Sequence, residues 1–260
     1  MRRLACWIVP MRLGLLLAAL LVASACTAQD AGEAPPSDGA EVFRVLVFSK
    51  TEGYRHASIA DGIAALRDLG TAHGFAVDAT EDASAFRDTT LATYAVVVFL
   101  STTGEVLDAA AEAALQGFVQ GGGGFVGIHA ASDTEYDWPW YGALLGAYFD
   151  SHPEEQTATV VVPDTAHPST ADLPERWERF DEWYNFQAPP EGVRVLARLD
   201  ASTYDGGTMG DDHPIAWCHE FDGGRAWYTA GGHTAESYAE PLFRAHLLGG
   251  IRWAAGRAGG

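Results

Sequence analysis

The strongest constraint on the fold is a repeated alternation between short apolar runs and longer stretches of helical periodicity. The apolar runs are rich in Val, Leu, Ile and Phe and carry few charges, which is typical of strands that are buried on both faces. Strands separated by helices predict a parallel sheet with helices on both sides. The predicted strands are residues 43–48, 75–80, 94–100 and 124–129, and the predicted helices are residues 58–73 and 105–120.

The second half of the chain has a different pattern. Further strands are predicted at residues 157–162 and 192–199, followed by a hairpin of 214–220 and 224–230 around a Phe-Asp-Gly-Gly turn. A closing helix is predicted at residues 242–255. We therefore expect a doubly wound, mostly parallel α/β sheet that carries an antiparallel extension at one edge.

The first residues have the pattern of an export signal rather than of a folded domain. Arginines precede an apolar run at residues 13–22, which is too short to cross a membrane as a mature helix. Small residues then lead to Cys26, as in a bacterial lipoprotein whose cysteine carries lipid. We expect a signal peptide at residues 1–25, a flexible tether at 26–41 and a cell-envelope lipoprotein, with ordinary cleavage and secretion as the alternative.

Charge and cysteine content narrow the classes of function. The chain has 16 basic and 35 acidic side chains, a formal net charge of -19, and such a field repels the phosphate backbone of nucleic acids. We therefore expect no nucleic-acid partner, and contact with a membrane only through the N-terminal lipid. Cys218, the one cysteine of the predicted domain at residues 42–256, lies in an apolar run and is predicted to be a core residue.

Three histidines lie where predicted strands end. His56 follows the first strand, in a polar loop that also contains Arg55, and His129 ends the fourth strand. His233 follows the hairpin and is preceded by two glycines. Because ligands bind beyond the carboxyl ends of the strands in open α/β sheets, we expect these imidazoles to share one site. Each alone could be an ordinary loop histidine, so the prediction depends on their convergence.

Further polar and aromatic residues follow His129. Asp133 could orient that histidine or cap a helix. Trp138 and Trp140 then form an aromatic stretch that suits stacking on a sugar ring, or a lid that only covers the edge of the sheet.

Two later loops add candidates. His152 precedes a proline in a loop, a context that also marks an ordinary turn. Asp181, Glu182 and Tyr184 belong to an Asp-Glu-Trp-Tyr stretch. One of its carboxylates could act as a base or bind a cation, unless the stretch is a solvated charged face.

Several familiar catalytic motifs are missing from the sequence. It contains no G-x-S-x-G elbow, no Walker loop, no H-E-x-x-H and no G-x-G-x-x-G after the first strand. The glycine run at 121–124 precedes a strand instead of opening a helix, so it lacks the geometry of a phosphate-binding loop. Dinucleotide binding and phosphoryl transfer are therefore disfavoured.

Together, these segments resemble the ThuA-like (trehalose utilisation) family. The resemblance implies a flavodoxin-like fold related to class I glutamine amidotransferases. In that superfamily a cysteine nucleophile takes the place of His129, and the triad histidine takes the place of His233, so we expect no Cys-dependent amide transfer. The matching segments, in the family's order, are KTEGYRHASI (50–59), GFVGIHAASD (124–133), WPWYGALLG (138–146), FDSHP (149–153), DEWY (181–184), PIAW (214–217) and GRAWYTAGGH (224–233).

The resemblance also implies a role in carbohydrate metabolism, with disaccharides or keto-glycosides as substrates. A base would remove the proton beside the keto group, and elimination would release the aglycone. The expected catalytic residues, which are also the ligands if a divalent metal such as zinc binds, are His56, His129, Glu182 and His233. The expected substrate-binding residues are Arg55, Asp133, Trp138, Trp140, His152 and Tyr184.

Two other classes of function remain open on the sequence. The first is a tethered module that binds sugar without turnover and presents it to a partner enzyme such as a sugar oxidoreductase. The second is a structural domain of a larger complex, in which side chains would fill the pocket.

Overall fold

The computed structural model describes residues 42–257, in which strands and helices alternate as the sequence predicts. The strands are β1 (Phe43–Phe48), β2 (Phe75–Thr80), β3 (Val96–Leu100), β4 (Gly124–Ile128), β5 (Phe149–Ser151), β6 (Gln156–Val161), β7 (Arg176–Asp181), β8 (Asn185–Phe186), β9 (Arg194–Leu199), β10 (His213–Phe221) and β11 (Gly224–Thr229). The helices are α1 (Ile59–His73), α2 (Asp88–Leu91), α3 (Ala109–Gln120), α4 (Pro139–Leu145), α5 (Ala235–Ala239) and α6 (Pro241–Ala254).

Half of the main sheet is parallel and confirms the predicted α/β architecture. Its strands pair side by side in the order β2-β1-β3-β4-β11. Every residue of β3 and β4 is buried, as their continuous apolar sequences require in a sheet that is covered on both faces. The chain passes from β1 outward to β2 and then returns to β3 on the other side, which creates a topological switch point between β1 and β3.

The antiparallel extension is larger than a single edge strand. The sheet continues from β11 through β10, β9 and β6 to β7, and each of these neighbours pairs in an antiparallel manner. In β7 exposed and buried residues alternate. From this outermost strand Arg179 donates to Ser237 Oγ in α5 at 2.8 Å, and its guanidinium lies 4.5 Å from the Phe243 ring in α6. The extension therefore curls back toward the elements that follow β11.

Most element boundaries agree with the sequence to within two residues, and the differences have local causes. The helix predicted from residue 105 begins at Ala109, because the Asp108 carboxylate accepts hydrogen bonds from the amides of Ala110 and Ala111 and so caps it. The short β5–β8 ribbon and strand β7 were not predicted.

The predictions for the N-terminal segment, namely the signal peptide at 1–25, the tether at 26–41 and lipidation of Cys26, lie outside the described residues. Of the helices between residues 42 and 257, none combines the length and the apolar character that a membrane span requires. Cys218 is buried in β10, as expected of a core residue.

Candidate metal centre and active site

Four side chains from separate parts of the chain meet at the carboxyl edge of the parallel strands. His56 follows β1, His129 follows β4 directly, His233 follows β11, and Glu182 follows β7 directly. One ring nitrogen or carboxylate oxygen of each lies within 4.8 Å of the corresponding atoms of the other three. His56, His129 and Glu182 are buried, and His233 is partly buried. We refer to these four residues as the centre.

His129 occupies a strained backbone position. Its φ of 53° lies in the left-handed region, which costs a residue other than glycine on the order of 1–3 kcal/mol. The surrounding structure fixes it there: Tyr228 donates its hydroxyl hydrogen to the His129 carbonyl at 2.9 Å, and the His129 Nδ1 lies 2.8 Å from the Ala230 carbonyl oxygen. Strained residues at strand ends are also how hydrolases present a nucleophile, and here that position presents an imidazole.

Two glycines shape the turn that carries His233. A side chain at Gly231 would place its Cβ 2.6 Å from Arg179 Nη1, and Gly232 has a φ of 112°. The Asp181 carboxylate accepts hydrogen bonds from the amides of Gly232, at 2.9 Å, and of His233, at 3.0 Å. This tight turn therefore sets the direction of the His233 side chain.

Asp181 and Glu182, the paired carboxylates of the sequence, have separate tasks. Asp181 is fully buried and forms an ion pair with Arg179 at 3.0 Å in addition to its bonds to the Gly232–His233 backbone. Its oxygens are thus occupied in holding the turn. Glu182 faces the imidazoles instead, with Oε2 at 3.4 Å from His129 Nε2 and 3.0 Å from His233 Nδ1.

The nitrogen atom His129 Nε2 lies at the middle of the centre. It is 3.1 Å from His56 Nε2, 3.2 Å from His233 Nδ1 and 3.0 Å from the Tyr184 hydroxyl. Because Nδ1 of His129 faces a carbonyl oxygen, it carries the ring proton of the neutral form, which leaves Nε2 with a lone pair. Ring nitrogens of three imidazoles and one carboxylate oxygen thus surround a common region.

The electrostatics of the centre favour neutral imidazole at His56 and a charged carboxylate at Glu182. Burial, together with the neighbouring His129 and His233, lowers the pKa of His56 from 6.5 to about 3. Burial alone would raise the pKa of Glu182, but the adjacent imidazoles of His129 and His233 outweigh it and lower that pKa. For His233, burial is likewise outweighed by Glu182, and its pKa is raised.

The centre opens into a pocket of about 430 Å³. Aromatic and acidic side chains dominate its wall, and among the described residues neither Lys nor Arg lines it. The lining residues are Tyr54, His56, Asp133, Phe149, His152, Pro153, Glu154, Glu155, Glu182, Tyr184 and His233. A larger groove of about 660 Å³ lies at the amino ends of β3 and β4, but it holds no comparable cluster of titratable groups, so we place the site in the smaller pocket.

Three of the predicted substrate-binding residues lie in this pocket. Tyr184 is buried and contacts His129, whereas His152 lies at the open rim with Nδ1 at 3.1 Å from Glu182 Oε1. Asp133 accepts a hydrogen bond from the Tyr136 hydroxyl at 2.7 Å, and burial raises its pKa.

The other three predicted substrate-binding residues point elsewhere. Arg55 is exposed and pairs with Glu81 at 2.6 Å. Trp138 and Trp140 stack on each other with ring centroids 4.9 Å apart, and Trp140 donates to Asp222 at 2.9 Å. None of the three lines the pocket.

Five residues of the pocket wall were not predicted from the sequence, namely Tyr54, Phe149, Pro153, Glu154 and Glu155. Tyr54 and Phe149 lie two and three residues from His56 and His152, inside segments that had already been noted, so their closeness to a candidate was the available signal. Glu155 Oε1 lies 3.1 Å from His233 Nε2, a contact between distant segments that leaves no mark in the sequence.

The fold and the site together define a flavodoxin-like α/β protein with a histidine-rich centre at its strand ends. The family model described as ThuA, trehalose utilisation, matches residues 44–254. The chain therefore belongs to the ThuA family, as the sequence motifs indicated. No curated protein sequence matches the chain significantly.

Solved structures agree with this assignment. A ThuA-like protein from Bacteroides uniformis is 26% identical, with a TM-score of 0.72 over 85% of this chain and 95% of its own. One from Parabacteroides merdae is 20% identical, with a TM-score of 0.69 over 83% and 90%. A β-galactosidase from Bacillus circulans is 15% identical, and the match covers 82% of this chain and 31% of that enzyme with a TM-score of 0.55, which is a likeness of fold alone.

Proposed function

We propose that this chain is a metal-dependent enzyme that cleaves uncharged keto-glycosides or disaccharides. The observation that carries the proposal is the distance between the ligand-type atoms of the centre, which are 3.0–3.4 Å apart in the four closest pairs. Tetrahedral zinc with bonds of about 2.0–2.1 Å to nitrogen places neighbouring ligand atoms roughly 3.3 Å apart. Three imidazoles and a carboxylate also match the ligand types that zinc prefers.

The four residues of the centre have the role of ligands in this proposal. A divalent metal held by them would act as a Lewis acid on the keto oxygen of the substrate. His129 is the best-fixed ligand, because the Ala230 carbonyl orients its ring and the strained backbone holds its position. Tyr184, whose hydroxyl lies 3.0 Å from His129 Nε2, borders the same space and can hydrogen-bond a sugar oxygen there.

Asp133 is the residue that best suits the role of base. Its carboxylate lines the pocket without joining the centre, and burial raises its pKa, which strengthens it as a proton acceptor. In the elimination, the base takes the proton from the carbon next to the keto group, and that electron pair forms a carbon–carbon double bond. The glycosidic carbon–oxygen bond breaks, and the leaving oxygen takes a proton from solvent at the open rim.

The wall of the pocket supports an uncharged sugar as the substrate. Tyr54 and Phe149 supply aromatic faces, on which the C–H face of a sugar ring can stack. The acidic side chains of the wall would repel a phosphate or carboxylate group. The role for which the family is named, trehalose utilisation, is in keeping with an uncharged disaccharide.

The site of action in this proposal is the cell envelope. Its support is the basic and apolar start of the chain and the small residues before Cys26. The chain produced in a bacterial host should enter the membrane fraction, and Cys26→Ser should remove it from that fraction. Equal partition of both proteins would contradict lipidation.

Turnover on a panel of oxidised and unoxidised disaccharides tests the enzymatic proposal. We expect activity on keto-glycosides that is lost with a chelator, restored by zinc or a related ion, and abolished in His129→Ala while sugar binding largely remains. Sugar binding without turnover in the metal-loaded wild type would instead support the non-catalytic module. Turnover that persists fully in His129→Ala would contradict the assigned centre.

A further inference from the structure

The segment His152–Glu155, which joins β5 to β6, contacts the centre at two points; we call it the rim segment. The Nδ1 of His152 lies 3.1 Å from Glu182 Oε1. The Oε1 of Glu155 lies 3.1 Å from His233 Nε2. One short connection, whose second residue is a proline, thus contacts two of the four residues of the centre.

Both contacts fall on the atom of the ligand that faces away from the other ligands. Glu182 directs Oε2 at His129 and His233, which leaves Oε1 for His152. His233 directs Nδ1 at the centre, which leaves Nε2 for Glu155. Contacts of this kind fix the tautomer and the orientation of a ligand without competing for the metal.

The proton assignments follow from the partners of each nitrogen. The Nδ1 of His152 lies close to two acceptors, the Pro153 carbonyl at 2.9 Å and Glu182 Oε1, so this nitrogen carries a proton. The Nε2 of His233 faces the Glu155 carboxylate and is likewise a donor, so in the neutral form of the ring, the form that can bind a metal, Nδ1 has its lone pair directed at the centre.

Two imidazoles of the centre, those of His129 and His233, differ in what supports them. His129 is oriented by a buried carbonyl of the core, at Ala230. His233 is oriented by Glu155, whose side chain is 42% exposed. In itself, an ion pair this exposed contributes little to the stability of the fold. The main effect of the Glu155–His233 ion pair is therefore to orient the imidazole of His233 in the centre.

We propose that His152 and Glu155 are positioning residues that hold Glu182 and His233 in the orientation that binds metal, and that the rim segment thereby sets the metal affinity of the centre. The inference rests on the proposed metal centre and goes beyond it, because it assigns a role to residues outside the ligand set. By thermodynamic reciprocity, bound metal also strengthens the contacts of the rim segment.

The test compares neighbouring glutamates of the rim segment. Glu154 borders the same pocket, but its carboxylate makes no ion pair among the described residues. Glu154→Ala and Glu155→Ala each remove one negative charge near the centre, so the difference between them isolates the contact with His233. The affinity of the purified chain for zinc ions is measured by competition with a chromogenic chelator.

We expect Glu155→Ala to weaken zinc binding about 10- to 100-fold, a typical loss for a residue that orients a metal ligand, and Glu154→Ala to change it less than about threefold. Glu155→Gln should recover part of the loss, because its amide oxygen can still accept a proton-mediated contact from His233 Nε2. His152→Ala should weaken zinc binding in the same direction. The thermal midpoint of the metal-free variants should stay at the wild-type value, which a merely structural role would change.

The outcomes separate this inference from the proposed function. A wild-type chain that binds no zinc would overturn the metal centre itself. Tight zinc binding by the wild type, with equal affinities for Glu154→Ala and Glu155→Ala, would leave the centre standing and overturn the role of the rim segment. A metal-free midpoint lowered only in Glu155→Ala would assign that residue to the fold and overturn the inference.

Discussion

The described part of the chain contains two groups of buried histidines that use the imidazole ring in different ways. In the centre, His56, His129 and His233 turn ring nitrogens toward one another. In a second group, which we call the core pair, His246 Nδ1 lies 2.7 Å from the Ser169 carbonyl oxygen, and His167 Nδ1 lies 2.8 Å from Ser169 Oγ. The two histidines of the core pair thus form hydrogen bonds with the carbonyl and the hydroxyl group of the same serine.

The surroundings of the two groups explain the difference. Tryptophan rings pack against the core pair, Trp227 on His246 at 4.8 Å and Trp253 on His167 at 5.3 Å between ring centroids. The centre instead holds the carboxylate of Glu182 against two of its imidazoles. Burial of a histidine therefore does not by itself indicate a functional site. Imidazoles that converge with a carboxylate at strand ends do indicate one.

The largest expected change in zinc affinity distinguishes the centre from the core pair. His56→Ala should lower the affinity for zinc more than about 100-fold, because it removes a ligand. His246→Ala should leave zinc affinity within about twofold and lower the free energy of unfolding by about 2–4 kcal/mol, because it empties a buried space beside Trp227.

Competition titration with zinc and urea unfolding, applied to both variants, check this difference. His73→Ala, in the exposed last turn of α1, is the control for loss of a histidine as such. An equal loss of zinc affinity in His56→Ala and His246→Ala would contradict the distinction between the centre and the core pair.

The next effect concerns the residue that organises each group, Asp181 for the centre and Ser169 for the core pair. Asp181→Asn keeps the shape but removes the fully buried ionic partner of Arg179, which retains its ion pair with the partly exposed Glu240, and it turns an amide toward backbone donors. Loss of one partner from a buried pair costs about 3–5 kcal/mol. Ser169→Ala removes neutral hydrogen bonds to His167 and Trp227 and should cost about 1–3 kcal/mol.

Urea unfolding of the metal-free proteins measures both costs. Asp181→Asn should also weaken zinc binding, since the Gly232–His233 turn loses its anchor, whereas Ser169→Ala should not. Equal stability losses in the two variants would mean that the ion pair adds nothing beyond its hydrogen bonds.

The sequence was sufficient to predict the parallel half of the fold and the imidazoles of the centre. Continuous apolar runs such as residues 96–100 have few alternatives to a buried strand, and the carboxyl ends of parallel strands share one edge. His129 and His233 therefore converge by topology alone. Glu182 was a candidate because it lies beside aromatics, but its selection over Asp181 depends on which side chain turns inward.

The rest depends on contacts that no local pattern encodes. Strand β7 has the sequence RWERFD, whose charges suggest a solvated segment, yet Arg179 is buried because Asp181 and Ser237 satisfy it. Trp138 and Trp140 have the residue types of a sugar platform, but at the start of α4 they stack on each other, and Trp140 packs against Phe221. The residue types predicted stacking, but the orientation of α4 determined what the rings stack against.

A smaller effect is the pH dependence of stability that the core pair introduces. Burial lowers the pKa of His246 from 6.5 to about 3 and that of His167 to about 4. A base whose pKa is lower in the folded state takes up its proton preferentially when unfolded, so the stability present above pH 6.5 is lost as the pH falls toward those values. At about pH 5 each histidine should lower the free energy of unfolding by about 2 kcal/mol relative to about pH 7.

Urea unfolding of the metal-free chain across this range measures the slope. His246→Gln should flatten it by the contribution of one histidine. A slope that is identical in the wild type and His246→Gln would contradict the assignment of this pH dependence to the core pair.

The smallest expected effect distinguishes an aromatic residue that lines the pocket from one that lies outside it. Phe149 lines the pocket next to Tyr184, with ring centroids 4.4 Å apart, whereas Trp140 lies outside it against Asp222 and Phe221. Phe149→Leu should raise the KM for a keto-glycoside about 2- to 10-fold, because it removes an aromatic face worth about 0.5–1.5 kcal/mol. Trp140→Phe should leave KM unchanged, because the sugar is expected to contact Tyr54 and Phe149 in the pocket and not Trp138 or Trp140. A raised KM in Trp140→Phe with an unchanged KM in Phe149→Leu would instead place the sugar against Trp138 and Trp140.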